Sequence, residues 1–322
     1  MKKNSKIIIN TICIFFVIFI SAYNVSYSKA IISSLKDEKQ ILKQLRDYKI
    51  HTKLCDKYID RYSVIKNIEY YDFNGNLVKD GVLVVQDALA ENVVRIFEKL
   101  KERKFSIAPI KLLSGKKLVN RLPFGLFGLK KAVNDDDVNN LTGAYHCRKI
   151  QHKDKLSLHS FGTAIDINTL QNPCIFIDEK KKKVLNVVPK DGVMYLNRKI
   201  KRPNKPYGDG KIDDAIVRIF QRNGFDIWGG DWDFPIDYQH FQVSNRKFAN
   251  LLMLADKKNA KKIFDLHVKC LNNNGRSLSD MAEDEKVDLE EIYERDKSKN
   301  KAIFFKRIKN ICKVCINKKL SQ

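Results

Sequence analysis

Acidic residues are scarce in this chain. Its 322 residues hold 38 aspartates and glutamates against 61 lysines and arginines, a formal net charge of +23. Such a deficit of negative charge points to a polyanionic partner: nucleic acid, an acidic membrane surface or an anionic polymer such as cell wall. A lysine-biased composition accounts for it equally well. Long apolar runs are missing apart from Ile7 to about Ala22, and that run is short for a membrane-spanning helix. No internal repeat is visible, and strand-like and helix-like stretches do not follow a regular βαβ order. The second absence argues against a parallel doubly wound sheet and for an α+β fold with a mainly antiparallel sheet. Cys312-x-x-Cys315 has no second pair at matching spacing, and no thioredoxin-like strand precedes it. It therefore reads as two small apolar residues on one helix face rather than half a zinc site or a redox pair.

What is present begins with the N-terminus. Lys2, Lys3 and Lys6 precede the apolar run, and Ser28-Lys29-Ala30 follows with small residues where a signal peptidase reads. This three-part layout is that of a secretory signal, with an uncleaved anchor as the alternative. Removing residues 1–30 takes away four lysines and no acid, which leaves +19. Export disfavours nucleic acid as a partner and favours an anionic surface. Cys55, Cys147, Cys174, Cys270, Cys312 and Cys315 remain; export permits disulfides, but the sequence leaves their connectivity open. Hydrophobic content of 43% and charged content of 31% allow a buried core.

Several elements are legible. A helix is expected over Ser34–Tyr48, with Ser34 and Asp37 as a capping box and Ile41, Leu42, Leu45 and Tyr48 on one face. Asn74-Gly75 and Asp80-Gly81 read as turns between strand-like runs. Asp87 is placed to cap a helix whose stripe is Leu89, Val93, Ile96, Phe97 and Leu100. Another helix runs from about Asp213 to Arg222 and ends at Asn223-Gly224. Short strands are expected at Ala164–Ile167, Phe225–Trp228 and Tyr238–Val243. From about Arg246 onward there is no proline and only Gly275. Asp280–Asp296 holds nine acidic residues, and the stretch from Lys297 holds nine basic residues and no acid. Both blocks read as helical. Either their charges pair or face solvent, or the last one is a basic amphipathic helix that touches membrane or wall polymer through Phe304, Ile308, Ile311, Cys312 and Cys315.

The chemistry sits in "LSLHSFGTAIDIN" and "DYQHFQV". If "GTAIDIN" is a strand, Ile165 and Ile167 enter the core while Ala164 and Asp166 face a cleft. His159 lies in the loop just before, and Gly162 permits a tight approach. In the second stretch Tyr238, His240 and Gln242 share a face, and Asp237 precedes His240 by three residues. Two histidines and a carboxylate can bind zinc and leave a fourth position open. A second carboxylate, Asp237, then suits a general base. Spacing alone also permits structural histidines.

"SLHSFGTAIDIN" matches the S-x-H-x-x-G-x-A-x-D signature of the VanY-type zinc D-alanyl-D-alanine carboxypeptidases and their phage endolysin relatives, the L-alanyl-D-glutamate endopeptidases. "AYHCRKI", "DINTLQNPC", "NGFDIWGGDW" and "DYQHFQ" resemble further segments of that family in the same order, and the resemblance spans about Tyr70 to Val243. It implies a D-alanyl-D-alanine-peptidase (Hedgehog-like) α+β fold and a zinc enzyme acting on peptidoglycan stem peptides or muropeptides. By resemblance His159, Asp166 and His240 are the zinc ligands, Asp237 the acid/base, and Arg148 the cation that holds substrate and steadies the oxyanion. Ser157 is placed for a substrate contact or a loop cap. Trp232 is placed to wall the cleft and Trp228 to join the core. The chain departs from the family at Leu141, at Cys174, in the basic "EKKKKVLNVV" and after Arg246.

The expected organisation is a signal at 1–30, a helical segment at 31–69, a zinc peptidase domain at 70–245 and a charged helical appendage at 246–322. A non-catalytic peptidoglycan-binding protein on the same fold is the alternative. Carboxypeptidase and endopeptidase share the same chemistry and are not separated by sequence.

Overall fold

The computed structural model describes residues 30–112, 140–150, 153–199, 209–297 and 301–319. The signal-like segment up to Lys29 and the side chain of Cys315 lie outside them. The fold is α+β, with antiparallel sheets and a set of C-terminal helices.

The first sheet has the order β1 (Ile31–Ser34), β2 (Tyr62–Tyr71), β3 (Leu77–Gln86). Asn74-Gly75 makes the expected turn: Gly75 has φ 82°, and the Asp72 carboxylate accepts from the amides of Asn74 and Asn76, both at 2.8 Å. Asp80-Gly81 does not turn. Gly81 lies inside β3 opposite Ile68, where the ladder is irregular, and a Cβ there would sit 2.8 Å from the Ile68 carbonyl. The glycine serves a close strand approach instead.

The first helix, α1 (Lys39–Asp47), starts later than the Ser34-Asp37 pattern suggests. Ser34 pairs with Ser63 in the sheet, and Glu38 instead gathers Ser33 Oγ and Lys66 Nζ, each at 2.6 Å. Residues 31–69 thus supply two strands as well as a helix. α2 (Ala90–Glu102) buries the expected stripe of Val93, Ile96, Phe97 and Leu100. Gln86, not Asp87, caps its leading turn, with Oε1 accepting from Ala88 N at 2.7 Å.

Two small sheets build the region of interest. β4 (Ala164–Asp166), β9 (His240–Gln242) and β7 (Ile227–Trp228) lie in that order. β6 (Lys183–Val188), β5 (Cys174–Asp178) and β8 (Ile236–Asp237) form the other. Between them in sequence runs α3 (Asp214–Arg222), which Asp213 caps through the amides of Ala215 and Ile216. Gly224, at φ 97°, ends it as expected.

The C-terminal region folds into α4 (Arg246–Leu254), α5 (Lys257–Asn274), α6 (Leu278–Asp284), α7 (Leu289–Lys297) and α8 (Lys301–Lys319). Phe248, Phe264, Tyr293 and Phe304 from these helices share one continuous core with Ile65, Phe97, Phe220 and Phe241. Phe304, Ile308 and Ile311, the apolar stripe of the last helix, are buried, and α8 packs on α5, α6 and α7. That stripe covers the protein's own core. Among the described residues no helix is long and apolar enough to cross a membrane. Among the described residues two disulfides form: Cys55–Cys147 ties the α1 region to the segment before His159, and Cys270–Cys312 ties α5 to α8, so Cys312 is a cross-link and not the small apolar residue read from the sequence. Cys174 is free and buried.

Candidate metal centre

β4 and β9 run antiparallel with Asp166 directly opposite His240. Ile165 and Phe241 are fully buried in the core, so the period-two alternation sends Asp166 and His240 together to the other face. His159 arrives from a tight 3-10 turn, Leu158–Phe161. Ser157 caps that turn, its side chain accepting from His159 N at 3.3 Å, so of the two roles offered by its position it takes the cap. Gly162 closes the turn at φ 66°, and any Cβ there would lie 2.5 Å from the amide of Gln86 on the neighbouring strand. The glycine lets β3 press the turn into place.

Two imidazoles and a carboxylate meet. His159 Nε2 is 3.3 Å from His240 Nδ1 and 3.4 Å from Asp166 Oδ2, and His240 Nδ1 is 3.1 Å from the other carboxylate oxygen, Asp166 Oδ1. A tetrahedral ion with ligand distances of ~2.0–2.1 Å spaces its donors by about 3.3 Å. The separations are of that size, and one atom from each residue can be chosen so that all three lie within 4.8 Å of one another. The three residues also form the one His/Cys/Asp/Glu group found among the described residues that can hold a metal ion.

The ring nitrogens are prepared for that use. His159 Nδ1 donates to the Ala144 carbonyl at 2.5 Å, which leaves the Nε2 lone pair facing the cluster. His240 Nε2 donates to Gln242 Oε1 at 3.0 Å, which leaves Nδ1 facing it. Gln242 is oriented in turn by its own amide, which donates to the Ser244 carbonyl at 2.8 Å. Outer partners of this kind fix tautomer and ring angle in metal sites. Gln242 was legible as sharing a face with His240, but its supporting role was not read from the sequence.

Electrostatics agree with an anionic ligand among imidazoles. Burial alone would raise Asp166, but the charge of His159 and hydrogen bonds to both histidines turn the shift strongly downward. Burial alone would lower His240, and the Asp166 carboxylate more than offsets it, so His240 is raised. Asp237 moves the other way from Asp166: burial, then the negative charge of Asp166, push it up. It reaches the site on β8, paired with Cys174 of β5 rather than leading into the His240 strand. Gln239 Nε2 donates to Asp237 Oδ1 at 3.1 Å. Gly229 lets the two strands meet: a Cβ there would fall 3.0 Å from Asp237 Cβ and 3.2 Å from His240 Cβ.

Arg148 sits on the segment that passes β4 on the side away from β9, where Gly143 bridges Asp166. Its backbone is held by Ser160 Oγ and Ser157 N, and its exposed guanidinium has no partner among the described residues. Its charge is felt nearby, since His146 is pushed down to about 4 by burial first, then by Arg148 and His159. Below it, Cys147 is bonded to Cys55, and Tyr145 Oη meets His51 Nδ1 at 2.7 Å. Trp232 lies beside His240 with ring centroids 5.3 Å apart, while Trp228 packs toward Phe241 and donates to the Tyr238 carbonyl at 2.8 Å. The asparagines of "DINTLQNPC" are scaffolding. Asn168 bonds Ala108 N, Ser106 O and Gly210 O; Asn172 bonds Ile167 O, Ile212 N and Arg198.

Searches of curated proteins and of solved structures found no match to this chain. A family model did match, over a stretch that contains His159, Asp166, Asp237 and His240 and leaves Arg148 just outside. Residues 151–243 fit the family described as D-alanyl-D-alanine carboxypeptidase, which supports the family read from the motifs and, at that level, a peptidase acting on peptidoglycan.

Proposed function

We propose that the protein is an exported zinc metallopeptidase that hydrolyses peptide bonds in peptidoglycan stem peptides. The observation that carries this reading is the triangle of His159 Nε2, Asp166 and His240 Nδ1, with separations of 3.1–3.4 Å and Asp237 alongside. His159, Asp166 and His240 would hold the ion. Zinc in such a place supplies Lewis acidity toward a peptide carbonyl and toward water.

The chain's own groups supply the rest. Asp237, with its raised proton affinity, takes the proton from the attacking water and returns it to the departing amine. Gln239 steadies one carboxylate oxygen during that exchange. Arg148, exposed and without a partner among the described residues, offers a cation to the developing oxyanion or to a substrate carboxylate. Trp232 walls the cleft beside His240. The two disulfides fit an oxidising compartment, in line with the N-terminal signal pattern.

Digestion of purified muropeptides, followed by mass spectrometry, tests the reading. Loss of a terminal alanine marks a carboxypeptidase, and internal fragments mark an endopeptidase. Cleavage should stop with a chelator and return with zinc. A folded, zinc-supplied, disulfide-bonded protein that leaves every muropeptide intact overturns the proposal, as does cleavage that survives His159→Ala.

A further inference from the structure

We infer that the β5–β6 hairpin docks on an anionic phospholipid bilayer. The inference does not depend on the reaction. Large apolar side chains are exposed on both faces of this hairpin: Phe176 (41%) and Val188 (44%) on one by the strand register, Val184 (49%) on the other, and Leu185 (65%) at the irregularity, with Val193 and Met194 (both 56%) on the 3-10 turn Lys190–Tyr195 that follows β6. Among the described residues β6 is an edge strand, and the ladder irregularity between Phe176 and Ile177 leaves Leu185 outside the register with β5. The tip carries Lys180, Lys181, Lys182 and Lys183, all exposed. Asp178 shapes this tip by accepting from the amides of Lys180 and Lys181 at 2.9 and 3.0 Å.

The chemistry selects the occupant. Aliphatic side chains gain only from an apolar phase, and lysines gain from anionic headgroups, so a combination of both suits the acidic lipid interface. A glycan or polyphosphate of the wall would engage the lysines and leave Leu185 and Val184 in water. A second copy would set two tips against each other whose four lysines outnumber one exposed acid, Glu179. The tail helix, for which a membrane contact was one of two readings of the sequence, has Phe304, Ile308 and Ile311 buried. β8, with Asp237, lies two strand spacings from β6, ~10 Å, so docking would hold the cleft close to the lipid surface.

Co-sedimentation of the mature full chain with phosphatidylglycerol-containing and pure phosphatidylcholine vesicles tests this, with isolated wall sacculi in parallel. Binding is expected to the anionic vesicles alone and to weaken with salt. Each lysine near such a surface strengthens partitioning about fivefold. Replacing Lys180, Lys181, Lys182 and Lys183 together by glutamine should therefore weaken it by over a hundredfold. Leu185→Glu should weaken it at least tenfold without changing the melting temperature, because the side chain already lies in water. Equal binding to neutral vesicles, unchanged binding by Leu185→Glu, or retention on sacculi without vesicle binding overturns the inference; the last result assigns the hairpin to a wall polymer.

Discussion

Gln242 offers the sharpest test of how the metal site is held. Its Oε1 accepts from His240 Nε2 at 3.0 Å, and its amide is fixed on the Ser244 carbonyl at 2.8 Å. Gln242→Met keeps the length and removes the acceptor. Two costs follow. His240 is buried, so an unsatisfied Nε2–H costs ~1–3 kcal/mol. The proton can escape that cost by moving to Nδ1, where Asp166 Oδ1 waits at 3.1 Å, but it then occupies the lone pair that a metal needs. Both routes weaken metal binding, and losses of about 10–100-fold, or ~1.4–2.7 kcal/mol, are usual for an outer partner of a ligating histidine. Competition for zinc against a chromophoric chelator at fixed pH measures the effect directly. The metal-free variant should melt near the wild-type temperature, since without the ion the His240 proton can sit on Nδ1 and bond Asp166 Oδ1. Wild-type zinc affinity in a folded Gln242→Met variant would refute the orienting role. Nitrogen NMR of the zinc-loaded protein should also find coordination through Nε2 of His159 and Nδ1 of His240; the reverse assignment would sink the same reasoning.

Other outcomes follow from the same geometry. Asp237→Asn should retain zinc and lose ~10²–10⁴-fold in turnover of muropeptides, whereas near-normal turnover removes Asp237 from proton transfer. Gly229→Ala would force a methyl to within 2.5 Å of the Asp237 carbonyl, so a loss of ~1–3 kcal/mol in urea unfolding is expected, together with weaker activity. Cys55→Ser with Cys147→Ser opens a loop of 92 residues and should cost about 4–5 kcal/mol in the chain-entropy account, read from the shift in denaturation midpoint. His51 and His146 are both lowered, mainly by burial, so the folded chain binds fewer protons than the unfolded one. Their share of stability is therefore whole above the ordinary histidine value of 6.5 and drains as pH falls toward about 4, where His146 titrates. Thermal melts across that window, with and without His146→Gln, should show the slope and its reduction.

Local marks offered His159, Asp166 and His240 as candidates, and the resemblance to the peptidase family joined them into one ligand set. Alternation in "GTAIDIN" separates core isoleucines from Asp166, Gly162 marks a tight approach, and His240 has the same face logic. The long helices were legible for the same reason, with stripes such as Val93–Phe97–Leu100 and the Asp213 cap. What stayed hidden depends on contacts distant in sequence. Ser34 has the residue pattern of a cap, yet pairing with Ser63 draws it into β1. Strands of two residues, such as β8, are too short to show a period. The stripe of α8 reads the same whether lipid or protein covers it; only the packed α5, α6 and α7 decide. The partner of Cys55 lies 92 residues away, and no local feature names it.

The short segment from Gly143 to Arg148 carries more than its length suggests. Ala144 aims the His159 ring, Arg148 presents a guanidinium with no partner among the described residues, and between them Cys147 is fastened to Cys55. Without the disulfide the ribbon would keep its backbone bonds to Asp166 and Ile50 but lose its covalent tie, so any drift of the segment would shift the carbonyl that aims the imidazole and the guanidinium together.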